Sequence, residues 1–484
     1  MAFNKSFALT NGLVRQDTAS CMRIRIIANK VSLTLSNSSI NNVKYPFLNF
    51  LIFMRVHLKT LGCRLNEAEV ESWAHDFGAR GHTIVDEDAA PDILVLNTCA
   101  VTQGAVRKSR QLIRKTHTKN PKAKLVVSGC YATLNTDETV SLDGVDLLVN
   151  NQQKDQLVDL TLDAVDEVAM PSIATEPNAS SLFVRGRQRA FVKVQDGCRY
   201  RCSFCIVTIA RGDEKSRSIK EIVDEVNSLH EKGISEVVIT GVHLGGYGSE
   251  IDTNLYHLIE ALLKDTRIPR IRMGSLEPWD LPQGFFKLFL NPRLMPHLHL
   301  PIQSGSDAVL KRMSRRCKTD EFRQIIKEAR HHIPEINITS DIIVGFPGET
   351  EKEWLQTLSF VNEIKFGNLH IFSYSKREGT KAALMANQVN DAIKKERSKA
   401  LHLLAETLKE QAMNKLLNNS CEVLWEDAQP ADADGISTIS GYSPHYIRVQ
   451  TTTRQPEQLT NTITPVQLSA VKQGVFVTDH LTTS

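Results

Sequence analysis

Three strand-like runs in the first third of the chain each end at a cysteine, and their spacing restricts the fold. The runs RVHLKTLGC, DILVLNTC and KLVVSGC end at Cys63, Cys99 and Cys130. They recur roughly every 30 to 36 residues, which is the length of one βαβ unit. Because the carboxyl ends of parallel strands meet at one edge of a sheet, the three thiols should converge there, as metal ligands do. We therefore predict an open parallel α/β sheet domain with a metal site over residues 54–168, the N-terminal segment.

The alternation of strands and helices resumes after residue 183. Six further strand-like runs follow: AFVKVQ, SEVVIT, RIRMGS, PHLHLPI, ITSDIIV and GNLHIFSY. Helical stretches such as IKEIVDEVNSLHEKG lie between them. Six βα units are too few to close an eight-stranded barrel. We predict a partial, open (βα)6 barrel over residues 183–415, the central segment.

Two changes of composition mark the other boundaries. Residues 169–182, AMPSIATEPNASSL, are rich in Pro, Ser and Ala without periodicity, which indicates a linker. From about residue 416 threonine and valine dominate, helical periodicity is lost, and CEVLWE, YIRVQ and GVFVTD resemble short strands. This pattern predicts a small antiparallel β-barrel over residues 416–480, the C-terminal segment.

The first 53 residues contain a single acidic residue, Asp17, and show no clear period. A targeting peptide is one interpretation. Met54 opens a clean strand, which favours a second one: residues 1–53 are a non-native or disordered leader. The most apolar stretch, YPFLNFLIF, is about half as long as a membrane-spanning helix, so we expect no membrane association.

Three more cysteines crowd one loop of the central segment. In DGCRYRCSFCI, Cys198, Cys202 and Cys205 follow the pattern CxxxCxxC. A zinc ribbon would need a second cysteine pair, whereas three thiolates can hold a four-iron cluster and leave one iron open. Arginines flank the loop at three positions: Arg199, Arg201 and Arg211. Their charge should favour thiolate over thiol. The alternative is three unligated cysteines on a flexible loop.

The nine cysteines are not spaced like a disulfide framework. Apart from the two groups of three, Cys21, Cys317 and Cys421 look solitary and suit small buried hydrophobic positions. This usage indicates a reducing compartment, so we expect the protein in the cytoplasm.

Several motifs together resemble one known family. A CxxxCxxC loop after the first strand of a partial barrel is similar to the radical S-adenosylmethionine superfamily. Eight motifs extend the likeness: TLGCRLNEAE, LNTCAVTQGAVRKSRQLIRK, VVSGCYA, VQDGCRYRCSFCI, GVHLGGYG, LHLPIQSGSDAVLKRM, DIIVGFPGETE and GYSPHYIRV. Over residues 54–475 they resemble the tRNA methylthiotransferase family, most closely its threonylcarbamoyladenosine branch. That branch commonly has proline where this chain has Thr208, a difference that concerns loop rigidity rather than ligation.

The resemblance implies cofactors, partners and a reaction. It implies S-adenosylmethionine and two [4Fe–4S] clusters, one on each cysteine group. It implies a 5′-deoxyadenosyl radical, which can attack the unactivated C–H at carbon 2 of adenine. The expected reaction is methylthiolation of N6-threonylcarbamoyladenosine at tRNA position 37, with an external electron donor and a sulfur source. The C-terminal barrel would be TRAM-like, and we expect a monomer.

Polar residues near the ends of barrel strands are candidates for the cofactor pocket. They are His243, Glu277, Gln303 and Asp341. Gly241, in TGVHLGGYG, would allow close approach of the backbone to a nucleoside. The alternative is that these side chains cap helices or satisfy the backbone, and that the glycines only make a tight turn.

A basic stretch follows Cys99. Residues 107–124 hold eight Lys or Arg and no acidic residue. Arg107, Arg110 and Arg114 would share one helix face, where they could bind an RNA backbone. A solvated surface helix is the alternative. The runs VRGRQR and KRMSRRCK add to the predicted RNA footprint.

The C-terminal segment is a weaker candidate for RNA binding. Residues 417–484 contain three basic and seven acidic residues, whereas a phosphate-binding surface should be basic. Tyr442, His445 and Tyr446 could stack on bases or belong to the barrel core.

Three rival functions remain open at this stage. Sister enzymes act on isopentenyladenosine in tRNA or on a ribosomal-protein aspartate, and they share both cysteine groups. A non-catalytic iron–sulfur protein that senses and binds RNA is a rival from another class. Such a sensor would not need S-adenosylmethionine, so reductive cleavage of that molecule separates the two classes.

Overall fold

The computed structural model describes residues 14–15, 21–27, 30–35, 53–166 and 188–478. The chain divides into two units, Met1–Ile52 and Phe53–Ser484. In the first unit, three strands form an antiparallel sheet: β1 (Val14–Arg15), β2 (Cys21–Ile27) and β3 (Lys30–Leu35). Apart from these strands and Phe53, the predicted leader lies outside the described residues, as does the whole predicted linker at 169–182.

The N-terminal segment is built on the predicted parallel sheet. Its strands are β4 (Arg55–Thr60), β5 (Thr83–Ile84), β6 (Ile93–Thr98), β7 (Lys124–Gly129) and β8 (Leu147–Val149), in the order β5-β4-β6-β7-β8. All four neighbouring pairs are parallel. Its helices are α1 (Arg64–Ala79), α2 (Gln103–Lys119), α3 (Cys130–Leu134), α4 (Thr136–Val140) and α5 (Leu157–Asp166). Strand β6 is buried along its whole length, as expected of a central parallel strand covered on both faces.

All six strands that we predicted in the central segment are present. They are β9 (Arg189–Lys193), β12 (Glu236–Thr240), β13 (Arg270–Met273), β14 (His297–His299), β15 (Asn337–Val344) and β16 (Asn368–Ser373). They form two parallel sheets, β13-β12-β9 and β14-β15-β16, which isolated bridges such as Ser275–His299 connect. A two-residue antiparallel pair, β10 (Gln195–Asp196) and β11 (Lys215–Ser216), closes the base of the CxxxCxxC loop. The partial barrel itself stays a prediction.

Seven helices accompany these strands. They are α6 (Val207–Arg211), α7 (Ile219–Glu231), α8 (Leu255–Asp265), α9 (Asp307–Arg312), α10 (Thr319–His332), α11 (Glu351–Ile364) and α12 (Asp391–Leu416). Helix α7 begins at a capping box formed by Ser218 and Glu221. Its buried residues Ile222, Val226 and Leu229 share one face and pack into the core of the segment. Among the described helices, none combines the length and apolar character needed to cross a bilayer.

The C-terminal segment forms a six-stranded sheet. Its elements are β17 (Ser420–Ala428), β18 (Ser437–Tyr442), β19 (Arg448–Thr453), α13 (Pro456–Leu459), β20 (Ile463–Gln467), β21 (Ala470–Lys472) and β22 (Val475–Val477). The strand order is β20-β17-β18-β19-β22-β21. The prediction of a wholly antiparallel barrel is wrong, because β19 and β22 are parallel. After β19 the chain adds β20 at the far edge beside β17, then returns as a β21–β22 hairpin whose second strand pairs with β19.

Candidate active site

The strand-end cysteines lie in one cavity. Strands β6 and β7 are followed directly by Cys99 and Cys130, and Cys63 lies three residues after the end of β4. All three cysteines line a space of about 850 Å³, which we call the strand-end cavity. A Cβ atom on Gly62 would approach the Cys99 Sγ to 3.0 Å, so the loops carrying Cys63 and Cys99 are in contact. The spacing argument thus predicted this convergence, and the role of the three thiols as ligands stays a prediction.

Glycines before two of the cysteines shape the loops. Gly129 has φ of +101°, and a Cβ atom there would collide with the Thr98 backbone. Gly197 has φ of +70°, and a Cβ atom there would collide with the Asp213 carbonyl. Side chains other than hydrogen are strained in this conformation, so each glycine is needed to place the cysteine that follows it.

The CxxxCxxC loop is folded onto itself. The Cys198 amide donates to the Gly212 carbonyl at 3.0 Å, and the Cys205 amide donates to the Cys202 carbonyl at 3.0 Å. The Thr208 hydroxyl donates to the Tyr200 carbonyl at 2.9 Å, so a hydrogen bond restrains this part of the loop. All three thiols are partly exposed, which leaves them accessible to a shared ligand.

Each of the three flanking arginines pairs with a carboxylate: the pairs are Arg199–Glu214 at 3.4 Å, Arg201–Asp213 at 3.2 Å and Arg211–Glu69 at 2.8 Å. Their expected effect on the thiolates of the loop stays a prediction. Burial raises the pKa of Cys198 to about 12 and that of Cys205 to about 11, and neighbouring thiols add to the rise. A positively charged metal centre would reverse this tendency, since metal-bound thiols lose their protons.

An arginine outside the CxxxCxxC motif contacts one of its thiols. Arg315 places its Nη1 3.8 Å from the Cys202 Sγ, and its guanidinium lies 4.3 Å from the ring centre of Trp279. The signal was present in KRMSRRCK, which we had assigned to RNA binding. Its partners lie more than 35 residues away in sequence, so the run alone did not reveal them.

His243 supports the loop from behind. Its side chain is buried, with Nε2 2.7 Å from Asp280 and Nδ1 in contact with Glu214. Burial lowers the pKa of His243, but hydrogen bonds to Asp280 and Glu214 outweigh it, so the pKa lies above its ordinary value. Tyr200, within the loop, donates to Asp280 at 3.0 Å. Nearby, burial raises the pKa of the Glu277 carboxyl, whose charge in turn raises that of His243.

The other predicted pocket residues are divided between two places. Gly241 and Asp341 line the strand-end cavity with the cysteines. Gln303 lies in the left-handed region, with φ of +79°, and exchanges backbone hydrogen bonds of 2.9 Å with Asp341 and Ile343. Its backbone therefore joins the chain after β14 to β15, and the role of its side chain stays a prediction.

One of the three arginines on α2 that we predicted to bind RNA is held in an ion pair. Arg107 and Arg114 are exposed on α2, and neither forms an ion pair within the described part of the chain. Arg110 pairs with Glu138 at 2.6 Å, which offsets its charge. The predicted footprint thus keeps two of its three arginines, and RNA binding stays a prediction.

Aromatic residues of the C-terminal segment form one wall of the strand-end cavity. Tyr442 and Tyr446 stack with ring centres 4.9 Å apart, and both line the cavity. Arg64, next to Cys63, donates to the Tyr446 hydroxyl at 2.7 Å. Arg189 and Arg272 lie over these rings at 4.4 Å and 4.7 Å. Residues of all three segments therefore line the cavity.

His445, the third residue of that aromatic group, has a different environment. It is buried, and burial together with Arg272 lowers its pKa to about 4. His445 thus belongs to the interior of the molecule, whereas the two tyrosines face the cavity.

A buried ion cluster joins the two cysteine groups. Arg211, six residues after Cys205, donates to Glu69 at 2.8 Å and to Asn66 at 2.9 Å. Asn66 lies three residues after Cys63 and contacts its thiol. A short chain of side-chain contacts therefore connects the loops of the N-terminal and central segments.

Two family models match the chain. The model of the Radical SAM superfamily matches residues 192–361, and a model described as uncharacterized protein family UPF0004 matches residues 55–150. Among solved structures, the fold is similar to the radical S-adenosylmethionine methyltransferase TsrM from Kitasatospora setae. The TM-score is 0.52 at 14% identity, over 66% of this chain and 72% of that one.

Relatives match more than four fifths of the chain. The chain is 35% identical to the threonylcarbamoyladenosine tRNA methylthiotransferase MtaB of Bacillus subtilis (strain 168), over 81% of this chain and 89% of the relative. It is 34% identical to the protein of the same name from Thermotoga maritima, over 81% and 90%. It is 30% identical to the tRNA-2-methylthio-N(6)-dimethylallyladenosine synthase of Staphylococcus saprophyticus, over 87% and 84%. The chain therefore belongs to the radical S-adenosylmethionine family of tRNA methylthiotransferases.

Proposed function

We propose that this chain transfers a methylthio group to carbon 2 of N6-threonylcarbamoyladenosine at position 37 of tRNA. The observation that carries the substrate assignment is the lining of the strand-end cavity. Besides the cysteines, the lining includes seven side chains able to form hydrogen bonds: Arg64, His299, Asn337, Thr339, Asp341, Asn368 and His370. A threonylcarbamoyl group carries a carboxylate, a hydroxyl and urea N–H groups, and such a lining can satisfy them.

The dimethylallyladenosine reaction, named for several relatives, fits this lining less well. A dimethylallyl group has no hydrogen-bonding atoms, so binding it there would leave polar side chains desolvated and unpaired. Such mismatches discriminate strongly between substrates. The polar side chains of the cavity therefore favour the threonylcarbamoyl substrate over the dimethylallyl one.

The six cysteines fit two thiolate-ligated clusters. Cys198, Cys202 and Cys205 lie in one loop within electrostatic reach of one another, and Arg315 can offset the negative charge of a bound cluster. Together with S-adenosylmethionine, a [4Fe–4S] cluster there would supply the radical chemistry that an unactivated C–H bond requires. Cys63, Cys99 and Cys130 would hold the second cluster at the cavity itself.

The protein's own residues bind and orient the reactants. His243 and Asp280 hold the CxxxCxxC loop in place, and Gly241 leaves room for a ligand at the cavity wall. We propose the six central strands as a partial barrel that carries this site, and the C-terminal sheet as a TRAM-like cover. An external electron donor and a sulfur source complete the reaction, which would take place in the cytoplasm, where a monomer meets its tRNA substrate.

Nucleoside mass spectrometry of total tRNA tests this proposal. Cells lacking the gene should lose the methylthio form of threonylcarbamoyladenosine and accumulate its precursor. A plasmid copy should restore the modified nucleoside. An unchanged profile would overturn the proposal and direct attention to the ribosomal-protein aspartate, while loss of the methylthio form of isopentenyladenosine would support the sister reaction. If the purified protein binds RNA but never cleaves S-adenosylmethionine, the sensor is the better assignment.

A further inference from the structure

Three neighbouring strands place polar side chains on one face of the strand-end cavity. His299 on β14, Asp341 on β15 and His370 on β16 all line the cavity. In register, Asp341 lies opposite His370, and Thr339 lies opposite His299. Because residues two apart in a strand point to the same side, Thr339 and Asp341 face the cavity together. We call these four residues the histidine strip.

The contacts within the strip occupy both ring nitrogens of His299 and leave His370 as the histidine with a donor available. The His299 Nδ1 lies 2.9 Å from the Thr339 hydroxyl, and its Nε2 lies 3.2 Å from Asp341. The rings of His299 and His370 meet edge to face, with centres 5.4 Å apart. His299 is thus oriented by two neighbours, whereas His370 is exposed to the cavity.

Arg64 brings a further positive charge to the same cavity. It donates to the Tyr446 hydroxyl, a neutral acceptor, and no carboxylate pairs with it among the described residues. Its charge reaches the strip, since Arg64 and His299 both lower the pKa of His370, after the larger effect of burial. Asp341 thus lies between two histidines, and Arg64 lines the same cavity.

We propose that Arg64 and His370 form the subsite that binds the carboxylate of the threonyl group, with His299 and Asp341 as positioning residues beside them. The inference rests on the proposed function and adds to it the residues that recognise the substrate's charge. In adenine, carbon 2 and the carbon that bears N6 are the two neighbours of the same ring nitrogen. A cavity that binds this edge therefore needs sulfur at one wall and hydrogen-bond donors for the threonyl carboxylate at another. The cysteines and the histidine strip satisfy these two requirements.

Binding of anticodon stem–loop RNA to the full-length, cluster-loaded protein tests the subsite. Three RNAs serve as probes: one with threonylcarbamoyladenosine, one with its threonyl carboxylate as a methyl ester, and one with unmodified adenosine. Fluorescence anisotropy under anaerobic conditions measures each affinity. The wild-type protein should prefer the acid over the ester by about tenfold or more, the size expected for a charge-assisted contact.

The variants separate this contact from general effects. His370→Gln should reduce the preference for the acid over the ester to a few-fold or less, and Arg64→Gln should do the same. Arg64→Lys, which keeps the charge, should retain part of the preference. His402→Gln, at an exposed position on α12, is the matched control and should behave as wild type.

The possible failures are distinguishable. If the wild-type protein prefers the modified RNA over the unmodified one but binds acid and ester equally, the subsite is wrong and the proposed substrate stands. If it does not distinguish modified from unmodified RNA, the proposed function itself fails. Added Zn²⁺ is the last probe. If the wild-type protein binds Zn²⁺ tightly, if His370→Gln abolishes that binding, and if the RNA preference is unchanged, the subsite is overturned in favour of a metal site.

Discussion

At the scale of single residues, Glu69 is the clearest case of a partner that sequence reasoning cannot find. Its buried carboxylate accepts hydrogen bonds from Lys154 at 2.6 Å, Asn97 at 2.8 Å and Arg211 at 2.8 Å. The arginine comes from the central segment, more than 140 positions along the chain. Long-range pairing of this kind has no periodic signal, and we had assigned Arg211 to the thiolates instead.

Removing Arg211 should destabilise the whole chain. Arg211→Met leaves Glu69 with one cation fewer in a buried site, which typically costs about 3–5 kcal/mol. Urea unfolding followed by circular dichroism measures the change. Arg201→Met is the matched control, because both members of the Arg201–Asp213 pair are exposed and such pairs contribute about 0–1 kcal/mol. Equal midpoints for the two variants would contradict the prediction.

Acid should weaken the same cluster. Burial opposes the ionised form of Glu69, but Lys154, Arg211 and Lys193 outweigh it and hold the pKa well below its ordinary value of 4.5. The folded state therefore binds this proton less readily than the unfolded state, so the stabilisation is complete above 4.5 and is lost as pH falls through the folded pKa.

The difference in urea midpoint between wild type and Glu69→Gln measures this contribution. It should be constant near neutral pH and shrink in acid, below the ordinary carboxyl range. A difference that grows on acidification would show that Glu69 is protonated in the folded protein.

At the scale of elements, the parallel pairing of strands explains why the sequence predicted that three distant cysteines converge. Strands β4, β6 and β7 were evident from apolar runs, and their parallel pairing sufficed to bring three distant cysteines together. The parallel β19–β22 pair was not evident, because it depends on how the chain crosses the sheet rather than on any local pattern. Likewise, the contact of Arg315 with Cys202 depends on how the chain after β14 folds back over the loop.

The turn between β7 and α3 gives a test at this scale. Gly129→Ala would place a Cβ atom against the Thr98 backbone and strain a left-handed residue, at a cost of about 1–3 kcal/mol. Relief of that strain displaces Cys130, so iron bound at the strand-end cysteines should fall while the CxxxCxxC site keeps its own.

Iron and sulfide analysis of the reconstituted protein measures this effect. Gly104→Ala on α2 is the control, since the nearest atom to its new methyl group is 3.7 Å away and φ is not positive. Full iron content in Gly129→Ala would show that the turn tolerates the side chain or that Cys130 is not a ligand.

At the scale of the whole molecule, the site is distributed over three segments. The N-terminal segment supplies Cys63, Cys99 and Cys130, the central segment supplies the CxxxCxxC loop and the histidine strip, and the C-terminal segment supplies the tyrosine wall. Fold class and both cysteine groups were predictable from sequence. The sequence did not predict that residues of all three segments line one cavity, because this depends on the packing of surfaces that are far apart in the chain.

The separation of the cysteine groups predicts separable roles. Cys202→Ala should abolish reductive cleavage of S-adenosylmethionine, measured as 5′-deoxyadenosine, and with it methylthiolation. Cys99→Ala should leave 5′-deoxyadenosine formation within about twofold of wild type and stop methylthiolation, because its group lies on a different segment. The two variants control for one another. Retained methylthiolation in Cys99→Ala would contradict the assignment of the strand-end cysteines.

The contact of Arg211 with Glu69 and Asn66 has a consequence for modular exchange among related enzymes. Side chains on either side of one interface connect the two cysteine loops. A chimera that takes its N-terminal segment from this chain and its central segment from a relative would keep Glu69 and Asn66 but not Arg211 itself. Such a hybrid should keep its two cysteine loops connected only where the central segment supplies an arginine to these two side chains.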